Sequence, residues 1–378
     1  MKIAQLMLFW SLWYLAFSTR TFISPFLPII EAEFAINHAT AGGLLFFVAV
    51  GSTLSLSAAG YLALRIGYKR LIVLGFLIIA GALVGLHHAY SYPTFALFLF
   101  FFGIGGGFYL PCAVPILTTV FSKTHWGRAI SVHETAAGFN ILSMPFLVAL
   151  ALGVMPWRRI FLVLAAFVVI MMLVFWWKTP DPTPRQQRRA RISTLLARRD
   201  FWVVLVLWVA SGIGVMGVYN IVPLFLVDEK GMSVETANRL LSLSRLGGLT
   251  GQIILGFFLD RIRTKGLLAF LMIASALSAV GLAAAHPQWL LIAMLLLQGT
   301  FCVVFFPAGL VAISKLARIE ERGLYTGTIM AVSMMAGIGI APALLGAIAD
   351  AWTFQMGLYL LGLGTLVVSP LVFLLKDI

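Results

Sequence analysis

The apolar residues of this chain fall in blocks long enough to cross a bilayer, and no motif constrains the fold as strongly. A helix rises 1.5 Å per residue, so about twenty apolar residues span a ~30 Å hydrocarbon core. Such blocks occupy residues 4–29, 39–63, 71–88, 94–121, 129–152 and 159–177, and then 201–227, 234–259, 266–285, 288–314, 324–348 and 354–375. The fold class expected is therefore an all-α membrane protein of twelve transmembrane helices. Only 10% of residues are charged, against roughly 25% in soluble domains, which excludes an ordinary soluble fold.

The net charge of +13 invites a nucleic-acid reading, but the location of the charge argues otherwise. With both termini cytoplasmic, the inner segments carry almost all the Lys and Arg, including Lys2, Arg65, Lys69, Arg70, Arg128 and the run Lys178 to Arg199. The outer segments hold only Arg158, Arg159, Lys230 and Arg239. This is the positive-inside asymmetry of a multi-pass protein in the cell (inner or plasma) membrane. The apolar run from Ile3 to Ile30 is too long for a signal-peptide core and contains Arg20, so it reads as a retained first span. Cys112 and Cys302 lie within apolar blocks and support neither a disulfide framework nor a metal site.

Composition changes abruptly at residues 178–200, where three prolines and a cluster of Arg interrupt the apolar pattern. This segment reads as a cytoplasmic linker with a short interfacial helix over Ser193–Arg199. It divides the chain into six-span halves, residues 1–177 and 201–378. The halves repeat: Gly60 and Gly256, Arg65 and Arg261, and Pro111 and Pro307 are each separated by 196 positions. Duplicated halves with a site between them are a common transporter plan.

The segments Gly60-Tyr-Leu-Ala-Leu-Arg65-Ile-Gly67-Tyr-Lys69 and Gly256-Phe-Phe-Leu-Asp260-Arg261-Ile-Arg263 follow spans 2 and 8. They resemble the Gly-x-x-x-Asp-Arg-x-Gly-x-Lys/Arg loops of the major facilitator superfamily. The resemblance covers the whole chain and implies two pseudo-symmetric six-helix bundles working by alternating access. It also implies a gating role for Gly60, Arg65, Gly67, Gly256, Asp260 and Arg261. The first copy departs from the pattern with Leu64 in place of Asp, and the second with Arg263 in place of Gly.

Ionisable residues at membrane depth are functional candidates, because each costs at least ~2.5–3.5 kcal/mol to insert. Arg20 lies roughly 27 Å beyond Lys2, and Arg245 about 22 Å before Asp260, at 1.5 Å per residue. One falls in each half at similar depth, and two guanidinium forks between the halves would bind a carboxylate or phosphate. The alternative is that each arginine snorkels or caps carbonyls of a neighbouring helix. Arg20 followed by Pro28 is similar to helix 1 of the superfamily's organophosphate antiporters. Arg245 is similar to the helix-8 arginine of its nitrate, oxalate and monocarboxylate carriers. Span 7 offers Tyr219 and Asn220 where the antiporters have arginine, which favours a carboxylate or other small oxyanion over a phosphate ester.

Glu134 is the one carboxylate within the apolar blocks away from their ends, about 9 Å in from Arg128. A carboxyl group in an apolar setting can exchange a proton near neutral pH, as proton coupling requires. Equally, an acid neutralised by Arg128 would serve an inner gate. His133 points ~100° away from Glu134 around a helix, so the two are not expected to share a ligand simply. Trp13, Tyr14, Tyr109 and Tyr219 can line a cavity, although packing or interfacial anchoring suits Trp13 and Tyr14 better. The glycine run Gly103 to Gly107 lacks the strand context of a phosphate loop and reads as close helix packing beside a kink at Pro111.

The expectation is a secondary transporter of a small anion, a carboxylate first, taken up by proton symport. Arg20, Arg245, Tyr219, Asn220 and Tyr109 would bind it, with Glu134 and His133 carrying the proton. The partners are the anion, protons and the lipid bilayer; no nucleic acid, metal or cofactor is expected, and the carrier is read as monomeric. With no Walker loop, His-Glu-x-x-His or Gly-x-Ser-x-Gly, the chain is not read as an enzyme. The rival readings are a drug or metabolite exporter, an anion exchanger, and a non-transporting sensor.

Overall fold

A computed structural model describes residues 2–122, 125–181, 192–258, 263–318 and 321–375. Helix is the sole regular secondary structure among them. Ten helical stretches are long and apolar enough to cross a membrane, alongside the shorter Ile3–Ser18. The chain forms two compact units, Met1–Ala35 with Leu44–Gln187, and Ile36–Gly43 with Arg188–Ile378.

The first unit contains α1 (Lys2–Ser18), α2 (Leu27–Phe34), most of α3 (His38–Ile66), α4 (Tyr68–His88), α5 (Tyr92–Gly107), α6 (Tyr109–Val120), α7 (Trp126–Leu152) and α8 (Trp157–Lys178). The first apolar block, expected as one helix, is broken between Ser18 and Leu27 by turns and a 3-10 turn at Ser24–Phe26. The cause is local. Pro25 and Pro28 have no N–H to donate to the carbonyls of Thr21 and Ser24, so the α-helical ladder cannot continue through them. The backbone instead tightens, with Arg20 N–H donating to Phe17 O at 2.9 Å and Thr21 N–H to Ser18 O at 3.1 Å.

The glycine run in α5 is a packing device, each residue facing a different neighbour. A methyl group on Gly103 would meet the Val48 carbonyl of α3, one on Gly105 the Gly75 carbonyl of α4, and one on Gly106 Thr19 and Ala16. Pro111 cannot donate to the Gly107 carbonyl, and the span is interrupted at Phe108 between α5 and α6. Near the start of α8, Arg158 is held firmly. It donates to Glu33 Oε1 from Nε (3.1 Å) and Nη2 (2.6 Å), and from Nη1 to Ala89 O (2.8 Å), under the Trp157 and Tyr90 rings.

The second unit contains α9 (Ile192–Leu196), α10 (Arg199–Gly212), α11 (Val218–Asp228), α12 (Val234–Ser244), α13 (Leu246–Phe258), α14 (Thr264–Ala284), α15 (Gln288–Leu316), α16 (Arg322–Met334), α17 (Ala341–Ala351) and α18 (Phe354–Val368). The interfacial helix expected over Ser193–Arg199 is shorter. Residues 182–191 of the linker lie outside the described residues. Arg198 is extended and anchors the turn by donating to Leu316 O (2.7 Å) and pairing with Glu321 (3.3 Å). The buried core gathers Phe201, Leu207, Trp208, Phe305, Tyr325 and Ile329. The opening turn of α3 belongs to this unit: both oxygens of Asp350 accept from its first N–H groups, His38 at 2.9 Å and Ala39 at 2.8 Å. A carboxylate there satisfies unpaired donors and opposes the positive helix end.

Two π-turns, Ile213–Gly217 and Met335–Ile340, interrupt the spans that continue as α11 and α17. A close approach also recurs between the units at the 196-residue offset seen in the sequence. Gly103 abuts the Val48 carbonyl, and Gly299 abuts that of Ser244.

Candidate functional site

Arg20 sits in the break after α1, buried, with its guanidinium over the rings of Phe17 (5.0 Å) and Trp13 (5.5 Å). Its turn is fixed by Asn140 of α7. Asn140 Oδ1 accepts from Thr21 Oγ1 at 2.6 Å, while Nδ2 donates to Ser18 Oγ (2.9 Å) and Tyr14 O (3.0 Å). Asn140 thus ties the Ser18 and Thr21 side chains on either side of Arg20 to α7.

Behind Trp13 lies an aromatic stack. Trp13, Tyr109 and His133 have ring centroids 5.6–5.8 Å apart and nearly parallel planes. Tyr109 donates to Phe9 O at 2.8 Å and lies 3.2 Å from His133 Nε2, while His133 Nδ1 is 3.1 Å from Glu134 Oε1. The structure therefore joins the two residues that helix geometry alone separates. The ~100° angle describes where the Cβ atoms point, whereas the glutamate side chain is long enough to fold back onto its neighbour's ring. Its setting is also not the wholly apolar one expected, since the Glu134 side chain is 44% exposed. Tyr14 is half-buried and pairs with Ser143 (2.8 Å).

Arg245 also occupies a helix interruption, the single turn residue between α12 and α13. Gly247 and Gly248 follow it and abut Thr300 and Gly299 of α15. Only 3% of Arg245 is exposed. Its guanidinium lies 5.2 Å from the Tyr219 ring, and Nη1 is 3.8 Å from Cys302 Sγ. Nε and Nη2 are buried without a hydrogen-bond partner. Among the described residues it forms no ion pair. Isolated buried charge is costly, and buried polar groups are nearly always paired, so Arg245 stands apart among the described residues.

One turn before Cys302 on α15 is Gln298, a residue the sequence reading passed over. Its Nε2 donates to Gly214 O at 2.6 Å. That carbonyl is available because of the π-turn: Val218 N–H bonds to Ile213 O and Val215 O and skips Gly214. Tyr219 and Asn220, both buried, follow on α11.

Of the expected gating residues, Gly60 has open space around it, and Arg65 lies over the exposed Tyr61 ring at 4.6 Å. Gly67 makes the α3–α4 turn at φ +91°, a conformation that favours glycine. Gly256 lies in α13, while Asp260 and Arg261 fall outside the described residues.

Membrane-crossing helices with buried guanidiniums at the breaks in two of them define a multi-pass transporter rather than an enzyme. The family model of the Major Facilitator Superfamily matches residues 9–288 and 234–377, and the chain belongs to that family. It is 23% identical to the gallate transporter of Pseudomonas putida over 389 residues, covering 91% of this chain and 83% of the relative. It is 23% identical to the cis,cis-muconate transport protein of Acinetobacter baylyi over 355 residues, covering 88% and 84%. The fold is similar to that of a bacterial homologue of the human lysosomal transporter Spinster, solved inward-facing and unoccupied. The TM-score is 0.82 at 15% identity, over 99% of this chain and 96% of that one. Twelve-helix architecture of the superfamily type accounts for the whole chain.

Proposed function

We propose that the protein carries an organic carboxylate across the cell membrane by alternating access, taking it up together with protons. One observation carries this reading: Arg245 is buried, has no counter-ion among the described residues, and keeps two N–H donors unused. A carboxylate supplies two oxygens that accept side by side from a guanidinium edge, in short charge-assisted bonds. Arg20 is the anion-binding group of the first unit. Tyr219 and Asn220 of the second unit and Tyr109 of the first are the hydrogen-bonding aromatic and amide groups given to the same task. The transporters of gallate and muconate, to which the chain is similar, carry carboxylates by name.

Proton coupling is read from hydrogen-bond accounting at His133. Tyr109 gives its single proton to Phe9 O, so it faces His133 as an acceptor, and Nε2 carries a hydrogen. The contact of Nδ1 with Glu134 then needs one more proton, held by the imidazole or by the carboxyl group. Either way the dyad stores one exchangeable proton, and losing it breaks the bond. An inside-negative membrane opposes anion entry unless positive charge accompanies it, which favours symport with both termini cytoplasmic. The same residues would have no such task in an anion exchanger.

The test is uptake of labelled benzoate and muconate into proteoliposomes under an imposed pH gradient. Saturable uptake that needs the gradient and disappears in Arg245→Gln is expected. Binding of either acid that survives Arg245→Gln unchanged would remove this arginine from the site.

A further inference from the structure

Gln298 has half of its amide engaged and half idle. Gly214 O can only accept, so the atom 2.6 Å from it must be the NH₂ nitrogen, and this fixes which way the amide points. Its oxygen, Oε1, is consequently a buried acceptor, and it has no partner. Gln298 is itself 1% exposed. The Gln298 amide and the Arg245 side chain are both set against the same stretch of α15. The arginine stem runs along α15, where a Cβ on Gly299 would lie 3.5 Å from Arg245 Cδ, and its head reaches Cys302 Sγ at 3.8 Å. Gln298 and Cys302 are one helical turn apart on one face, with about 5–6 Å between Cβ atoms. Both border Gly214, since a Cβ there would stand 3.9 Å from Cys302 Cβ.

Unused donors and an unused acceptor about one turn apart describe a ligand with opposite requirements at its two ends. Resting on the carboxylate reading of Arg245, we infer that Gln298 is a specificity-determining residue. Its Oε1 accepts a hydrogen bond from a donor on the carried acid, such as a hydroxyl across a small planar skeleton from the carboxylate. The π-turn is what makes this selective. It frees the Gly214 carbonyl that holds the amide, so the oxygen cannot turn away and offer its NH₂ instead. An acid lacking the donor buries Oε1 unpaired, and sites of this kind reject such analogues far more strongly than apolar pockets reject a missing methyl group.

The experiment is calorimetric titration of the purified full chain with benzoate, meta- and para-hydroxybenzoate, and the methyl ethers of both. Wild-type protein is expected to bind at least one hydroxy acid about tenfold or more tighter than benzoate and than its own ether. Gln298→Met keeps the side-chain length and removes the acceptor. It should bring the hydroxy acid to within about twofold of benzoate, so that the ratio of the two affinities collapses. Wild-type protein that binds hydroxy acid, ether and benzoate alike overturns the role of Gln298, as does a Met variant that keeps the preference. The wild-type ligand series decides the matter even if the variant does not fold. Should none of these acids bind to folded wild-type protein, the carboxylate reading itself fails. Binding that depends on Arg245 but ignores the hydroxyl removes Gln298 alone.

Discussion

The two buried arginines occupy the same kind of place and are treated differently. Arg20 and Arg245 both lie where a membrane-spanning helix is interrupted. Around Arg20 two rings cushion the cation, Asn140 binds the hydroxyls of Ser18 and Thr21 on either side of it, and a hydrogen-bonded string runs from Tyr109 to Glu134. Around Arg245 the needs are left open, with two donors and the neighbouring Gln298 oxygen unpaired. The groups beside the first arginine are thus hydrogen-bonded to one another, while beside the second, donors and an acceptor have no partner among the described residues. Internal duplication does not oblige the copies to divide the work equally.

Breaking this contrast is the purpose of the tests, and the largest effect is expected at Glu134. Glu134→Gln abolishes the exchangeable proton, so gradient-driven accumulation in proteoliposomes should vanish while counterflow against preloaded substrate persists. Normal accumulation in that variant would sink the relay, and loss of both activities in a folded protein would leave Glu134 an inner-gate residue. Next come the arginines. Arg245→Lys is expected to weaken carboxylate binding about a hundredfold, since lysine cannot reproduce the fork. Arg20→Lys should cost only about tenfold, because an ammonium keeps part of the attraction to the Phe17 and Trp13 rings. Equal losses by titration calorimetry would erase the distinction between the units.

Smaller effects concern the scaffold. Asn140→Ala removes three hydrogen bonds at the Arg20 turn and should lower stability by roughly 1–3 kcal/mol in detergent unfolding, with reduced affinity following from it. Gly103→Ala and Gly299→Ala each push a methyl group onto a backbone carbonyl, costing about 1–3 kcal/mol. Gly81→Ala, with open space around it, should stay within about 0.5 kcal/mol of wild type. A comparable loss at Gly81, where the higher helix propensity of alanine favours the variant, would mean that close approach does not set these costs.

Both arginines were legible in the sequence because a charge inside an apolar block stands out against its neighbours. What surrounds them was less so. Hydropathy sums over a window and is blind to whether the backbone within it is continuous, so the breaks at Arg20 and Arg245 passed as unbroken spans. The local signals were nonetheless there, in Pro25 and Pro28 beside one and in Gly247 and Gly248 beside the other. Gln298 was missed for a different reason. One neutral amide barely alters the hydropathy of α15, and its importance depends on a carbonyl released by a π-turn three spans earlier. Asn140 escaped likewise, as its three partners become neighbours only once the first span opens. The His133–Glu134 pair shows the limit of angular reasoning, which fixes the root of a side chain but not the reach of its tip.

The unfilled donors of Arg245 also bear on how the carrier withstands heat. A partner that binds the folded state alone adds RT ln(1 + [L]/Kd) to stability, about 2.7 kcal/mol when the ligand is at a hundred times its Kd. In this protein that gain would fall on Arg245, whose Nε and Nη2 have no partner among the described residues, so the ligand-free form melts from a lower starting point. The transition temperature then becomes a direct report of cargo: a panel of anions ranked by the melting shift each confers is also ranked by how well it completes the structure.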